Sequence, residues 1–221
     1  MFTLVLGGSK SGKSGFAEGL MEKISGRKFY VATMMPFGSE AEKAIQRHRK
    51  MREGKGFETI EKYTSVGEIA SKYDVSDSAV LLECMGNLCA NEMFSKHDEM
   101  AEQNVCDDNT DCGDIDGKNT NTGITNNIEI DDKGITDKIV KDIELLASHA
   151  KELVIVSNIV GEDGLEYSKE TLKYIKNLGE IHTKLVAIAD NVVEMVYGIP
   201  VIVKESENFA RMVQKEDLMK G

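Results

Sequence analysis

The chain has 221 residues, a net charge of −11 at neutral pH and no tryptophan. That length fits one large α/β domain whose core is big enough to do without a disulfide or structural metal. No apolar run approaches a membrane span, so no membrane partner is expected, and with no basic excess no nucleic-acid partner is expected either.

Residues 3 to 7 read as a buried strand, and residues 14 to 24 as a helix with Phe16, Leu20 and Ile24 at four-residue spacing. KFYVAT, 28 to 33, is a second strand. Ser39 and Glu42 form a capping box for a helix running from about 40 to Arg52. FETIE, 57 to 61, is a short strand, and Ser65 with Glu68 opens another helix. AVLLECM, 79 to 85, is a continuous apolar strand, as is ELVIVSN, 152 to 158. A long helical pattern follows from about Ser168 to Ala189. VVEMVYG and IPVIVK then close the fold as two strands joined at Gly198, before a C-terminal helix.

Strands alternating with helices imply an α/β fold with a mostly parallel sheet covered on both faces. Such sheets bind ligands at the carboxyl ends of their strands. The segment from about 98 to 134 breaks the rhythm. Residues 98–137 hold twelve acids against two lysines, a local charge of −10 that leaves −1 for the remainder. This segment is too poor in apolar groups to offset its ordering entropy and reads as a mobile acidic insertion in a single domain. It fails as a calcium loop: neither the frame at Asp107 nor the one ending at Gly117 places its acids and glycine correctly.

Met1 leads straight into the first strand, leaving no room for a signal peptide, so a cytoplasmic location is expected. Cys84, Cys89, Cys106 and Cys112 form no Cys-x-x-Cys unit and read as free thiols. His97, His149 and His182 lack metal-ligand spacing and read as structural or surface residues.

Gly7-Gly8-Ser9-Lys10-Ser11-Gly12-Lys13-Ser14 satisfies the G-x-x-x-x-G-K-[ST] pattern, with a strand before it and a helix after. Its glycines let successive N–H groups and the positive helix end face a phosphate. Lys13 would reach the outer phosphates, and Ser14 would ligate Mg²⁺. Glu83, at a strand end, could hold the same ion. In the helix 40 to 52, Arg47, Arg49, Lys50 and Arg52 surround His48, while Ala41, Ile45, His48 and Arg52 share one face. Nearby cations lower a histidine's pKa and keep its imidazole neutral and nucleophilic. Pattern alone is equally satisfied by a half-buried histidine in a solvated basic helix.

In order along the chain these segments resemble the adenosylcobinamide kinase/adenosylcobinamide-phosphate guanylyltransferase family of cobalamin biosynthesis. The resemblance rests on GGSKSGKS, YVAT (30–33), IQRHR with FETIE, VLLECMGNLCAN (80–91), VIVSNIVG (154–161) and ADNVVEMVYGIPVIVK (189–204). It covers nearly everything outside the acidic segment. It implies a P-loop, RecA-like sheet with an antiparallel strand at its C-terminal edge, assembled as a homotrimer. It also implies two reactions on a corrinoid. A hydroxyl is phosphorylated from GTP or ATP, and GMP then passes from GTP to that phosphate through a guanylylated histidine, here His48. Lys13 would serve both steps. Thr33, Arg49, Arg52, Glu61 and Glu83 would join the loop in binding nucleotide, with Mg²⁺ on Ser14 and Glu83. The chain departs from the family pattern at Ile159, Ile175-Lys176 and His182-Thr183, and carries Ala44 and Phe57 where the family has arginine and tryptophan. Two other readings stand beside this one: a P-loop kinase of another small alcohol, and a nucleotide-binding relative without turnover.

Overall fold

Seven strands form one sheet in the computed structural model, which describes residues 1–36, 38–102, 132–161 and 164–213. They are β1 (Phe2–Gly7), β2 (Lys28–Ala32), β3 (Phe57–Glu61), β4 (Ala79–Glu83), β5 (Glu152–Asn158), β6 (Asn191–Val196) and β7 (Ile199–Lys204). Their order across the sheet is β3-β2-β4-β5-β1-β6-β7. All neighbours run parallel except the closing β6–β7 pair. The central strands β1, β4 and β5 are buried on both faces, which is why they read as unbroken apolar runs rather than alternating ones.

Helix α1 (Lys13–Glu22) packs Ala17, Leu20 and Met21 against Val5, Leu81 and Val156 on one face, where Phe209 of α7 (Glu207–Met212) joins them. The opposite face carries the larger core. There α4 (Met85–Glu102), α5 (Asp132–His149) and α6 (Lys169–Ile188) lay Leu88, Ile139, Ile143 and Ile181 over Leu4, Leu82 and Ile155. The remaining helices are α2 (Gly38–Arg52) and the short α3 (Ile69–Lys72).

The strands and most helices fall where the sequence places them, and three local expectations are corrected. The apolar run 79–85 does not stay extended: β4 stops at Glu83, and Met85 opens α4. Ser65 does not cap the helix after it. Its backbone sits at φ 50, its amide donates to Glu92, and its hydroxyl accepts from Lys138, so a 3-10 turn (Val66–Glu68) precedes α3 with no side-chain cap. Helices α4 and α5 extend to 102 and back to 132, inside the stretch read as an insertion. Of that stretch, residues 103–131 lie outside the described residues. Ser168 does cap α6, accepting from the Thr171 amide. No described helix is long and apolar enough to cross a membrane.

Candidate active site

The loop between β1 and α1 owes its shape to two glycines. Gly7 has φ 151, and a Cβ there would lie 2.6 Å from the Met195 carbonyl oxygen and 2.7 Å from Ser11 Oγ. Gly12 turns the chain into α1 at φ 94, a conformation costly for other residues. Two loop carbonyls bond outside the turn. Gly7 O accepts from the Ile159 amide at 2.9 Å, and Ser11 O from the Gly198 amide at 3.0 Å. The loop is thereby tied to the ends of β5 and the β6–β7 turn. Helix α1 has neither a capping side chain nor an acid in its first turn, so its positive end is left for a ligand. Lys13 is buried and donates to Gly8 O at 2.5 Å. Burial pushes its ammonium pKa down, with Cys84 and Glu83 opposing.

Sheet register builds the second half of the site. Glu61 pairs with Ala32, Ala32 with Glu83, and Glu83 with Val156. Partners in adjacent parallel strands share a face, so both acids stand in one row at the carboxyl ends of their strands. Glu83 accepts from the Ser14 hydroxyl on one oxygen and from the Tyr30 hydroxyl, at 2.8 Å, on the other. Tyr30 is buried, and burial together with the Glu83 charge drives its pKa far upward, so it stays a donor. Above its ring lies Arg52, with Cζ 3.4 Å from the centroid.

These groups open onto one cavity of about 620 Å³. Loop residues 9 to 15 line it, together with Glu83, Cys84 and Asn158 at strand ends and Ile45, Arg47, Arg49 and Arg52 of α2. Arg49 is paired with Glu61, which also accepts from the Tyr63 hydroxyl at 3.1 Å. His48 belongs to α2, between cavity-lining Arg47 and Arg49; its side chain lies outside the described residues.

Thr33 stands apart from the other predicted site residues. It is fully buried, and its hydroxyl accepts from the Cys84 amide and donates to the Cys84 carbonyl, both at 2.8 Å. It fastens the end of β2 to the end of β4 and is absent from the cavity wall. Gly7 and Gly8 are likewise absent from the cavity wall. Sequence reasoning missed Tyr30, Asn87 and Asn158. Tyr30 was discoverable by parity, two residues before Ala32 on the row that carries Glu83. Asn158 was discoverable as the last residue of a buried strand beside Gly7. Cys84 reaches the cavity, but burial raises its thiol pKa, which leaves it a poor nucleophile.

None of Ile159, Ile175, Lys176, His182 and Thr183, where the chain departs from the expected motifs, lines the cavity. Ile175 packs beneath Gly161, Lys176 pairs with Glu180, and His182 bonds Ser157 at 2.7 Å.

The donor set suits magnesium. A hydroxyl and a carboxylate, both hard oxygens, meet beside a phosphate loop, and no cluster of three His, Cys, Asp or Glu is present among the described residues. Magnesium characteristically takes few protein ligands and completes its shell with water and phosphate.

The family described as cobinamide kinase / cobinamide phosphate guanyltransferase matches residues 3–203. The bifunctional adenosylcobalamin biosynthesis protein CobU of Escherichia coli K12 is 26% identical over 208 residues, covering 92% of this chain and all of that protein. Its namesake from Salmonella typhimurium LT2 is 26% identical over 210 residues, with the same coverage. Among solved structures, a prototypical ATPase from a bacterial type III secretion system aligns at a TM-score of 0.48 and 12% identity, over 98% of this chain and 60% of its own length. The chain belongs to the cobinamide kinase / cobinamide phosphate guanyltransferase family.

Proposed function

We propose that this member of the family carries out both reactions on adenosylcobinamide, using magnesium and GTP or ATP for the first and GTP for the second. In the kinase step the substrate hydroxyl oxygen attacks the γ-phosphorus, the bridging P–O bond breaks, and the nucleoside diphosphate departs. In the second reaction a His48 ring nitrogen attacks the α-phosphorus of GTP and pyrophosphate leaves. The phosphate oxygen of adenosylcobinamide phosphate then displaces the histidine, giving adenosylcobinamide-GDP and a free imidazole.

One observation carries this reading. The phosphate loop and the helix bearing His48 both line a single cavity. A nucleotide seated with its outer phosphates on the loop amides and Lys13 would present its α-phosphate toward α2. Lys13 and Arg52 supply positive charge in a partly water-excluded site, where charge developing on a leaving phosphate is stabilised most strongly. Ser14 and Glu83 would hold the magnesium, which neutralises phosphate charge when bound. The altered positions 159, 175–176 and 182–183 lie off the cavity wall, which favours intact nucleotide binding.

The deciding experiment incubates the protein with magnesium and α-labelled or γ-labelled GTP, with and without adenosylcobinamide. The proposal expects an acid-labile protein adduct from α-label that is lost in His48→Ala, and γ-label transferred to the corrinoid. Transfer of γ-label without any adduct would leave a kinase alone. Binding with neither reaction would leave a nucleotide-binding relative.

A homotrimer belongs to the same proposal. The outer strand β7 exposes Ile199, Val201 and Val203 at alternate positions, with Val196 beside them, an apolar row that a neighbouring protomer could cover.

A further inference from the structure

Helix α2 carries His48, and among its described side chains only Arg52, at its last position, is buried. The contacts that tie it down cluster at its C-terminal end. Arg49 pairs with Glu61, but both side chains are exposed, and such pairs add little. Just past the helix end, Lys55 makes a pair of another kind. Its partner, Glu18 of α1, is only 2% exposed, and Lys55 Nζ donates to Glu18 Oε2 at 2.5 Å. The same ammonium lies 3.6 Å from Glu22 Oε1. Gly54 and Gly56 flank Lys55 at φ 83 and 74, and the Lys55 amide donates to Arg52 O at 3.1 Å. The turn that delivers the ammonium is therefore continuous with the end of α2. Desolvating a carboxylate costs much, and a buried ion pair contributes no more stability than a well-packed apolar pair. It does impose a position, because the carboxylate accepts the ammonium in one place.

Ser14, Glu18 and Glu22 follow one another at four-residue intervals along one side of α1. Ser14 holds Glu83 in the site, and one turn later Glu18 holds the turn that ends α2. We infer that the buried Glu18–Lys55 pair is the anchor that fixes α2, and with it His48, relative to the phosphate loop. This rests on the guanylyl-transfer reading above and adds two positioning residues to it, neither of which lines the cavity. The kinase step draws on the loop, Ser14 and Glu83. The guanylyl step also needs a ring nitrogen on α2 to reach the α-phosphorus, where a misplacement of about 1 Å costs on the order of a hundredfold in rate. Loss of the anchor therefore separates the two reactions.

The test uses the double variant Glu18→Leu/Lys55→Met, which removes both charges and leaves no unpaired acid in the core. At saturating GTP and magnesium, formation of the α-labelled His48 adduct is expected to slow about tenfold or more. Transfer of γ-label to adenosylcobinamide is expected to stay within about twofold of the wild type. Lys55→Arg keeps the pair and is expected to keep both reactions. Glu18→Gln keeps an acceptor for Lys55 without the charge; it stands in if the double variant does not fold, and is expected to slow the adduct alone. Amide hydrogen exchange gives a readout independent of turnover: exchange over residues 38–52 is expected to speed up several-fold in the double variant, with β1 and α1 unchanged. Equal loss of both reactions, an unchanged adduct rate, or unchanged exchange in α2 overturns the anchor. A wild-type protein that forms no adduct overturns the guanylyl-transfer reading instead, and the exchange measurement then decides the anchor by itself.

Discussion

Tyr30 donates its phenolic hydrogen to Glu83 over 2.8 Å, so a residue of β2 fixes the carboxylate that ends β4. The other Glu83 oxygen is held by Ser14. The carboxylate is thus oriented before any ion arrives, and removing one support should loosen it. Tyr30→Phe keeps the ring under Arg52 and deletes only the hydrogen bond. It should cost about 1–3 kcal/mol of stability, since the lost bond is to a charged acceptor in a buried place. It should also raise the magnesium concentration needed for half-maximal nucleotide binding several-fold. Chemical denaturation and a magnesium titration of GTP binding check the two halves. An unchanged magnesium requirement would remove Glu83 from the metal site.

Lys13 gives a pH signature. Its folded-state pKa lies below the ordinary 10.5 because burial disfavours the ammonium. A lowered lysine pKa means that the unfolded chain holds its proton to higher pH than the folded one. Between the two pKa values, unligated stability therefore gains with rising pH. Nucleotide affinity runs the other way, since phosphates need the charged form. Affinity for GTP should fall on the alkaline side at a pH lower than an exposed lysine would give. Lys13→Arg should move that fall upward or abolish it. Binding titrations between neutral pH and 10 read both.

Two adjacent glycines separate geometry from composition. A Cβ on Gly7 would meet the Met195 carbonyl at 2.6 Å, whereas one on Gly8 would meet nothing within 4 Å. Gly7→Ala must push backbone against backbone and should destabilise the protein by about 2–4 kcal/mol while weakening GTP binding. Gly8→Ala should leave stability within about 0.5 kcal/mol. Thermal melts of the pair suffice; equal effects would contradict the loop geometry.

Much of this was legible in the chain because the signals were local. Six strands and the phosphate loop are announced by apolar runs and a fixed motif spacing, and the short β3 by the alternation of FETIE. The helices α4 and α5 were hidden, although Met85, Leu88, Cys89 and Met93, and Ile135, Ile139, Ile143 and Leu146, repeat at helical spacing. They flank a long acidic polar tract whose composition dominates any window that overlaps it. The site was legible in its charged members and illegible in how they connect. That Arg52 rests on Tyr30, and Tyr30 on Glu83, depends on which strands become neighbours, and β2 sits beside β4 by a crossover that no local pattern specifies. The resemblance implied Thr33 as a nucleotide ligand, and in the fold its hydroxyl is engaged with the Cys84 backbone, a contact that depends on β2 lying beside β4.

The β7 edge offers a test of assembly that does not touch the cavity. Ile199 and Val203 are each 60% exposed, and Tyr197 at the turn is 97% exposed. A bare apolar strand edge invites pairing with another chain. A charge there should prevent burial at small cost to the monomer, because the side chain is already in water. If the proposed homotrimer forms through this edge, Val203→Glu combined with Val201→Lys should shift the protein from trimer to monomer in light scattering, with the melting temperature of the monomer reporting how much the interface adds. A trimer unaffected by both charges would place the interface elsewhere.

His182 supplies the last prediction, and its sign follows from burial alone. The ring packs beside β5 with Nε2 2.7 Å from Ser157 Oγ, and burial lowers its pKa from 6.5 to about 4. The folded protein keeps it neutral through a range in which the unfolded chain takes up a proton. Stability attributable to this group is therefore complete above about pH 6.5 and is lost as pH falls toward 4, by up to about 3 kcal/mol. His182→Asn keeps a polar side chain that does not titrate, so it is a conservative probe. The variant should be flatter than the wild type in unfolding free energy between pH 6.5 and 4, and nearly equal to it at pH 7.5. Because His182 does not line the cavity, GTP binding at pH 7.5 should be unchanged. A variant with the wild-type acid slope would mean that the imidazole is already solvated in the folded protein, and a variant with impaired GTP binding would mean that α6 shapes the cavity through Ser157 and its neighbour Asn158.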